Sequence, residues 1–329
     1  MSAIFRRFIA TTLAGGFVMS MSACSADTQA TADVSNGLLD WPEVCEPPVQ
    51  LATLPAELHE ASGIARDPRR DDLFWAHNDS GNDPELYAMD LNGNVLDVVP
   101  VVGATDRDLE DIAIGPCPGG NCLYLADIGD NLAVHPTVMV HRLPLPSLPN
   151  SSGADEIETP PIAPDASWRL VYEDGARDAE SLVVDPERLE LVVVSKGRNG
   201  EIVLYAVPLA DLQSRATEPD TLRRIGRLPL PIGVNSGQFV TAADLSPDAS
   251  TLAVRSYTTL YQFAWNGSAT FDSTTAPSWT SLIPAREAQG EGMSWDASGE
   301  TLVLVSEGRG GIPPSFSRLR CPVAESSWE

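Results

Sequence analysis

Five residues recur at matching places in the chain and carry its most chemistry: Ser62, Glu110, Glu180, Thr241 and Glu291. Each opens a short run that ends in a turn: Ser62 to Pro68, Glu110 to Pro116, Glu180 to Pro186, Thr241 to Pro247 and Glu291 to Gly299. Glutamates brought to one point repel one another, so they must protonate, pair with cations or hold a metal. Oxygen ligands converging from several directions suit Ca2+, which takes about six to eight of them, and the lack of His or Cys at these positions disfavours zinc. Glu60, Asp108, Asp178 and Gln289 each stand two residues before an anchor, where they are candidates for orienting ligands or water around an ion.

A second set of polar residues closes the apolar run that follows each anchor. His77, Asn78 and Asp79 end the first, and Asp127, Asp130 and Asn131 the second. Lys196 and Arg198 end the third, Arg255 and Tyr257 the fourth, and Glu307 and Arg309 the fifth. Asp79, Asp127 and Glu307 are candidate general bases. Asn78, Lys196, Arg198, Arg255 and Arg309 are candidate contacts for an anionic substrate group, or else they neutralise the surrounding carboxylates. The chain has no G-x-S-x-G elbow, no P-loop and no H-E-x-x-H pair, and spacing alone assembles no Ser-His-Asp set.

Positioning such rings requires a repeated element. Each segment reads as a strand, a turn and an apolar strand with polar ends, followed by two outer strands such as Leu86–Asp90 and Val95–Val99. The anchors are separated by 48, 70, 61 and 50 residues, each enough for a four-stranded blade with loops. The sequence therefore predicts an all-β fold, a five-bladed β-propeller, with six blades as the alternative. The last hairpin is followed by only one more strand, so Val49–Leu54 is expected to supply the missing outer strand and close the ring. Cys45 and Cys321 then lie on neighbouring strands and suit a disulfide, as do Cys117 and Cys122 across a Pro-Gly-Gly-Asn turn. The long stretch from Pro144 to Ala166 reads as a surface excursion.

The anchors resemble the ring of the calcium-dependent apyrases, the calcium-activated nucleotidase family, whose five-bladed propellers hold one central Ca2+ with one residue per blade. The order of three Glu and two hydroxyl residues is the same, Glu60-Ala-Ser62 is similar to the family's Glu-Leu-Ser, and Arg255-Ser256 to its Lys-Ser. The resemblance covers residues 58 to 310 as a pattern of positions. It implies a Ca2+-dependent hydrolase of phosphate esters or anhydrides. Where the family carries Asp-Asp-Arg-Thr-Gly, this chain has His77-Asn78-Asp79-Ser80-Gly81, with an acid in place of the arginine. Phytase-like and gluconolactonase-like propellers are more distantly similar. Two other functions fit the same sequence: a non-catalytic propeller that binds a ligand or protein around a structural metal, and a lactonase or esterase.

The formal net charge of −25 opposes binding to nucleic acid. Arg6 and Arg7 precede an apolar stretch and then Met21-Ser22-Ala23-Cys24, which reads as a signal peptide with a lipobox cysteine, or with ordinary cleavage near Ala26. Residues 1–24 are thus expected to be the signal, 25–40 a tether, 41–323 a single propeller domain and 324–329 a tail. With Cys24 carrying lipid, four cysteines remain for two disulfides in an oxidising compartment. The expected product is an exported, lipid-anchored monomer in the cell envelope. Its partner would be a small anionic molecule or a protein, and its only link to the membrane the N-terminal lipid.

Overall fold

The computed structural model describes residues 42–79, 81, 83–147, 159–213, 217–230, 236–271, 274 and 276–321. The signal and tether expected over residues 1–40, Cys24 with them, and the tail lie outside the described residues. The described chain contains strands and a few 3-10 turns, and no helix long and apolar enough to cross a membrane.

The strands follow one another as antiparallel meanders. After β1 (Val49–Thr53), the first runs β2 (Ala61–Arg66), β3 (Leu73–Asn78), β4 (Glu85–Asp90) and β5 (Val95–Pro100). Next come β6 (Leu109–Cys117), β7 (Gly120–Asp127), β8 (Val138–Pro144) and β9 (Ala166–Tyr172). Then follow β10 (Ala179–Asp185), β11 (Glu190–Ser195), β12 (Val203–Pro208) and β13 (Asp220–Arg227). β14 (Val240–Leu245), β15 (Thr251–Ser256), β16 (Thr259–Ala264) and β17 (Ser278–Ser281) form another. β18 (Gln289–Trp295), β19 (Thr301–Glu307) and β20 (Ser315–Arg320) complete the series, with β1 as their fourth strand. The first strands pack side by side, β2 on β6, β6 on β10, β10 on β14, β14 on β18, and β18 back on β2. This is an all-β, propeller-type arrangement with a central channel.

Local sequence explains the radial order. Inner strands such as Leu-Val-Val-Val in β11 are covered on both faces and so are almost continuously apolar. Outer strands such as β13 bury little and carry arginines toward solvent. The core lies between adjacent meanders, as where Tyr124 and Trp168 meet Leu182 and Val193. The predicted turns form through Asp side chains. Asp67 accepts from Arg69 N at 2.9 Å and from Trp75 Nε1 at 2.9 Å, and Asp185 accepts from Glu187 N and Arg188 N, each at 2.9 Å.

Ring closure is as expected, and more extensive. β1 pairs with β20, and both disulfides, Cys45–Cys321 and Cys117–Cys122, are present. Before reaching β20 the N-terminal segment also runs beside β17, with Val44 N bonded to Trp279 O and Trp279 N to Pro42 O. The N-terminal strap thus ties the last two meanders together. One pairing was not foreseen: the outermost strands β9 and β13 meet in parallel, Asp220 opposite Leu170, which merges two meanders into an eight-stranded sheet and covers two edges. The excursion after Pro144 includes residues outside the described ones, and its described end returns to the fold through Val102 N to Ile162 O and Ile162 N to Pro100 O.

Candidate metal centre

Every anchor residue sits on a β-bulge. Strand register shifts between Ala61 and Ile64, Leu109 and Asp111, Ala179 and Ser181, Val240 and Ala242, and Gly290 and Met293. A bulge breaks the alternation of faces and re-aims one side chain, and Glu110, Glu180 and Glu291 reach one cavity from theirs. Close packing around the bulges explains two of the glycines. A Cβ on Gly63 would overlap His77 and the backbone of Ile112, and one on Gly292 would strike the carbonyl of Ser62.

Carboxylates converge where the bulges point. Asp79, Asp108 and Glu110 offer oxygens within 4.8 Å of one another, and so do Glu110, Asp178 and Glu180. Glu110 belongs to both groups. The aspartates expected to stand behind the ligands are therefore part of the converging set themselves. Glu60, the third residue expected there, pairs with His59 at 3.5 Å and lies outside both groups. Asp79, Glu110 and Glu180 of these groups line a cavity of about 630 Å³, together with Glu291, Tyr257, Arg198 and Arg309.

Electrostatics follow from burial. Burial, then the charges of Glu180 and Asp79, push Glu110 well above the usual carboxylate range. Burial raises Glu180 to about 7 against the opposing pull of Lys196, and Glu110 shares a hydrogen bond with it. Burial and Glu180 likewise raise Glu291, whose Oε2 is buried with no hydrogen-bond partner, while Oε1 accepts from Gln289 Nε2 at 2.7 Å. Burial, Asp79 and Glu60 push Glu307 up to about 7. The all-oxygen carboxylate groups could hold a hard divalent cation.

Several expected site residues are engaged with their neighbours in the fold. Neither Ser62 nor Thr241 lines the cavity. Ser62 Oγ donates to Glu110 O at 2.5 Å and Thr241 Oγ1 to Gly290 O at 2.9 Å, so these hydroxyls latch one inner strand to the next. Glu291 lines the cavity but falls outside both carboxylate groups. Asp127 is 1 % exposed and is bonded to Thr105 Oγ1 at 2.6 Å and Asp108 N at 3.0 Å, which makes it a loop brace rather than a base. Asn78 is spent on Glu60 N at 3.0 Å and Glu57 O at 2.7 Å. Arg255 lies behind the wall, wholly buried and paired with Glu287 at 2.6 Å. Lys196, Arg198 and Arg309 do line the cavity. Lys196 contacts Glu180, Arg198 binds Asp178 at 2.6 Å and lies over the Phe239 ring, and Arg309 donates to Gln289.

Sequence reasoning missed Glu287, a cavity residue with an unpartnered buried Oε1, because it lies outside the repeat. It also missed that Lys196 is the only lysine in the chain, a signal open to simple counting.

His77 supports the site from behind. Its Nε2 accepts from Gly63 N at 3.2 Å and its Nδ1 faces Asn78 O at 2.7 Å, so the neutral ring is the form that fits. Burial lowers its pKa from 6.5 to about 4. This contribution to stability is full above pH 6.5 and is lost as pH falls toward 4, with a size of about 3 kcal/mol. The raised carboxyls act in the opposite sense, so the difference between wild type and His77→Gln isolates the effect. The stability gap between them, measured by denaturant unfolding, should shrink by most of that amount from pH 7 to pH 4. A gap independent of pH would contradict the assignment.

No family model matches the sequence, and no curated protein matches it. Among solved structures, a chain from the crystal structure of Chaetomium thermophilum Sqt1 bound to the N-terminus of the ribosomal protein L10 is 14% identical, with a TM-score of 0.36. That match covers 80% of this chain and 61% of the other, so this chain spans about three fifths of it. A chain from the crystal structure of a nidogen/laminin complex is 12% identical, with a TM-score of 0.41, over 75% of this chain and 72% of the other.

Proposed function

We propose that the chain is an exported, five-bladed propeller, lipid-anchored through Cys24, that binds Ca2+ at its central mouth and hydrolyses a phosphate ester or anhydride there. The observation that carries the reading is the pair of carboxylate groups that share Glu110, one with Asp79 and Asp108 and the other with Asp178 and Glu180, with Asp79, Glu110 and Glu180 lining a cavity that also holds arginines. The two disulfides support an oxidising compartment.

Glu110, Glu180, Asp108, Asp178 and Asp79 would hold the ion. Bound Ca2+ supplies Lewis acidity and a fixed positive charge. Arg198 and Arg309 keep guanidinium donors at the cavity and orient an anionic group. Glu307, whose pKa burial and the neighbouring Asp79 raise, is the candidate to take a proton from an attacking water.

Ca2+ titrated calorimetrically should bind one site, and at a thousand times Kd it should stabilise the fold by about 4 kcal/mol. Glu110→Gln should remove most of that gain. A panel of phosphate esters, nucleotides and lactones at saturating Ca2+ then tests the chemistry. Absence of Ca2+ binding would overturn the metal site. Binding without phosphate release from any substrate would leave the ion as a structural pin and overturn the hydrolase.

A further inference from the structure

The chain contains one lysine against twenty arginines, and that lysine stands in the carboxylate cluster. The Lys196 side chain is 7 % exposed, contacts Glu180 Oε1 and shares a hydrogen bond with Tyr257, and its charge is felt at Glu110 and Glu291. Its backbone is held on both sides, Lys196 N to Asp178 O at 2.9 Å and Val240 N to Lys196 O at 3.0 Å. Only the side chain is therefore left to move. Everywhere else the chain uses the planar, five-donor guanidinium. An ammonium is a compact point charge on a flexible stem, able to occupy and leave a space of ionic size.

We propose that Lys196 is the resident counter-ion of the metal site, holding Glu180 until a divalent ion enters and then passing to the anionic ligand in the cavity. The inference rests on the metal reading above. A divalent ion at Glu110, Asp178 and Glu180 competes with the ammonium for the Glu180 carboxylate and repels it as a like charge. The space open to the ammonium is the cavity that Lys196 and Tyr257 already line. An anion there, already facing Arg198 and Arg309, gains the ammonium as a further donor only once the ion is in place. Ion and anion must then strengthen each other's binding by the same factor. One ammonium faces several carboxylates around the cavity, and Glu291, which lines it outside both groups, keeps a buried Oε2 without a hydrogen-bond partner, so a doubly charged ion has the advantage.

The test is Ca2+ calorimetry with and without methylphosphonate as a non-hydrolysable anion. In the wild type, methylphosphonate should tighten Ca2+ binding roughly tenfold. Lys196→Met should bind Ca2+ alone roughly tenfold more tightly, and methylphosphonate should tighten its Ca2+ binding clearly less than in the wild type. Equal or weaker Ca2+ binding by Lys196→Met overturns the inference while leaving the metal site standing, whereas no Ca2+ binding by the wild type removes both. A readout independent of the variant's folding comes from wild-type protein made with 13C-lysine, which carries a single labelled ε-methylene. Its resonance should shift on adding Ca2+ and again on adding methylphosphonate. A resonance unmoved at saturating Ca2+ overturns the proposal.

Discussion

Replacing Cys45 and Cys321 by alanine is expected to cost roughly 5 kcal/mol of unfolding free energy, more than any other disulfide change in this chain. The two cysteines are 276 residues apart in sequence, so their bond restricts almost the whole unfolded domain. Cys117 and Cys122 are 5 residues apart and close only a hairpin, so their loss is expected to cost roughly 2 kcal/mol on the same chain-entropy argument. The larger effect also has a native-state side. Cys45 N donates to Thr280 Oγ1 at 3.1 Å and Glu46 N to Arg320 O at 2.9 Å, so the bond fixes the strap that joins the last two meanders. Urea unfolding of the two double variants, followed by intrinsic tryptophan fluorescence, gives the comparison. Equal losses from the two pairs would show that closure of the ring does not depend on the strap.

Arg255→Met is expected to cost about 3–5 kcal/mol, because it strands a buried carboxylate. Arg255 is wholly buried, pairs with Glu287 at 2.6 Å and donates to Gly292 O at 2.9 Å, and Glu287 is itself 3 % exposed in its side chain. The backbone passes directly across this pair: a Cβ on Gly290 would overlap the Arg255 guanidinium and the Glu287 carboxylate. The pair therefore shapes the bulge that presents Glu291. Arg255→Met combined with Glu287→Leu should recover most of the stability, since two apolar side chains leave no unpaired charge. A double-mutant cycle by denaturant unfolding measures the coupling. A single variant within about 1 kcal/mol of wild type would mean that water reaches Glu287 and that the wall is open.

Much of this architecture can be read from the chain alone. The repeated Asp-Pro and Asp-Ala-Ser-Gly steps are turn chemistry that works through neighbouring backbone, and Asp67, Asp185 and Asp296 perform it as local spacing requires. The inner strands are legible because burial on both faces demands unbroken apolar runs such as Leu191 to Val194. The approach of Glu110 to Glu180 follows from equal position in equal repeats.

Other features were hidden for equally physical reasons. A bulge changes register by one residue and leaves no fixed residue type behind, so the displacement of Glu180 or Thr241 from the ladder cannot be read from alternation. Whether a charged side chain at a strand end faces the cavity or the wall depends on its partner. Arg198 and Arg255 occupy similar places in their segments, yet one lines the cavity beside Asp178 and the other is buried against Glu287.

The sequence by itself determined the all-β repeat, the disulfide pairs and the glutamates that meet, because these rest on periodicity and on contacts between equivalent positions. Tertiary structure alone decided which oxygens gather: Ser62 and Thr241 donate to neighbouring carbonyls, Asp108 and Asp178 join the converging carboxylates, and Glu291 keeps an unpartnered oxygen. The reason is that a hydrogen bond or a ligand site is a matter of ångströms in three dimensions, settled by packing between residues far apart in the chain.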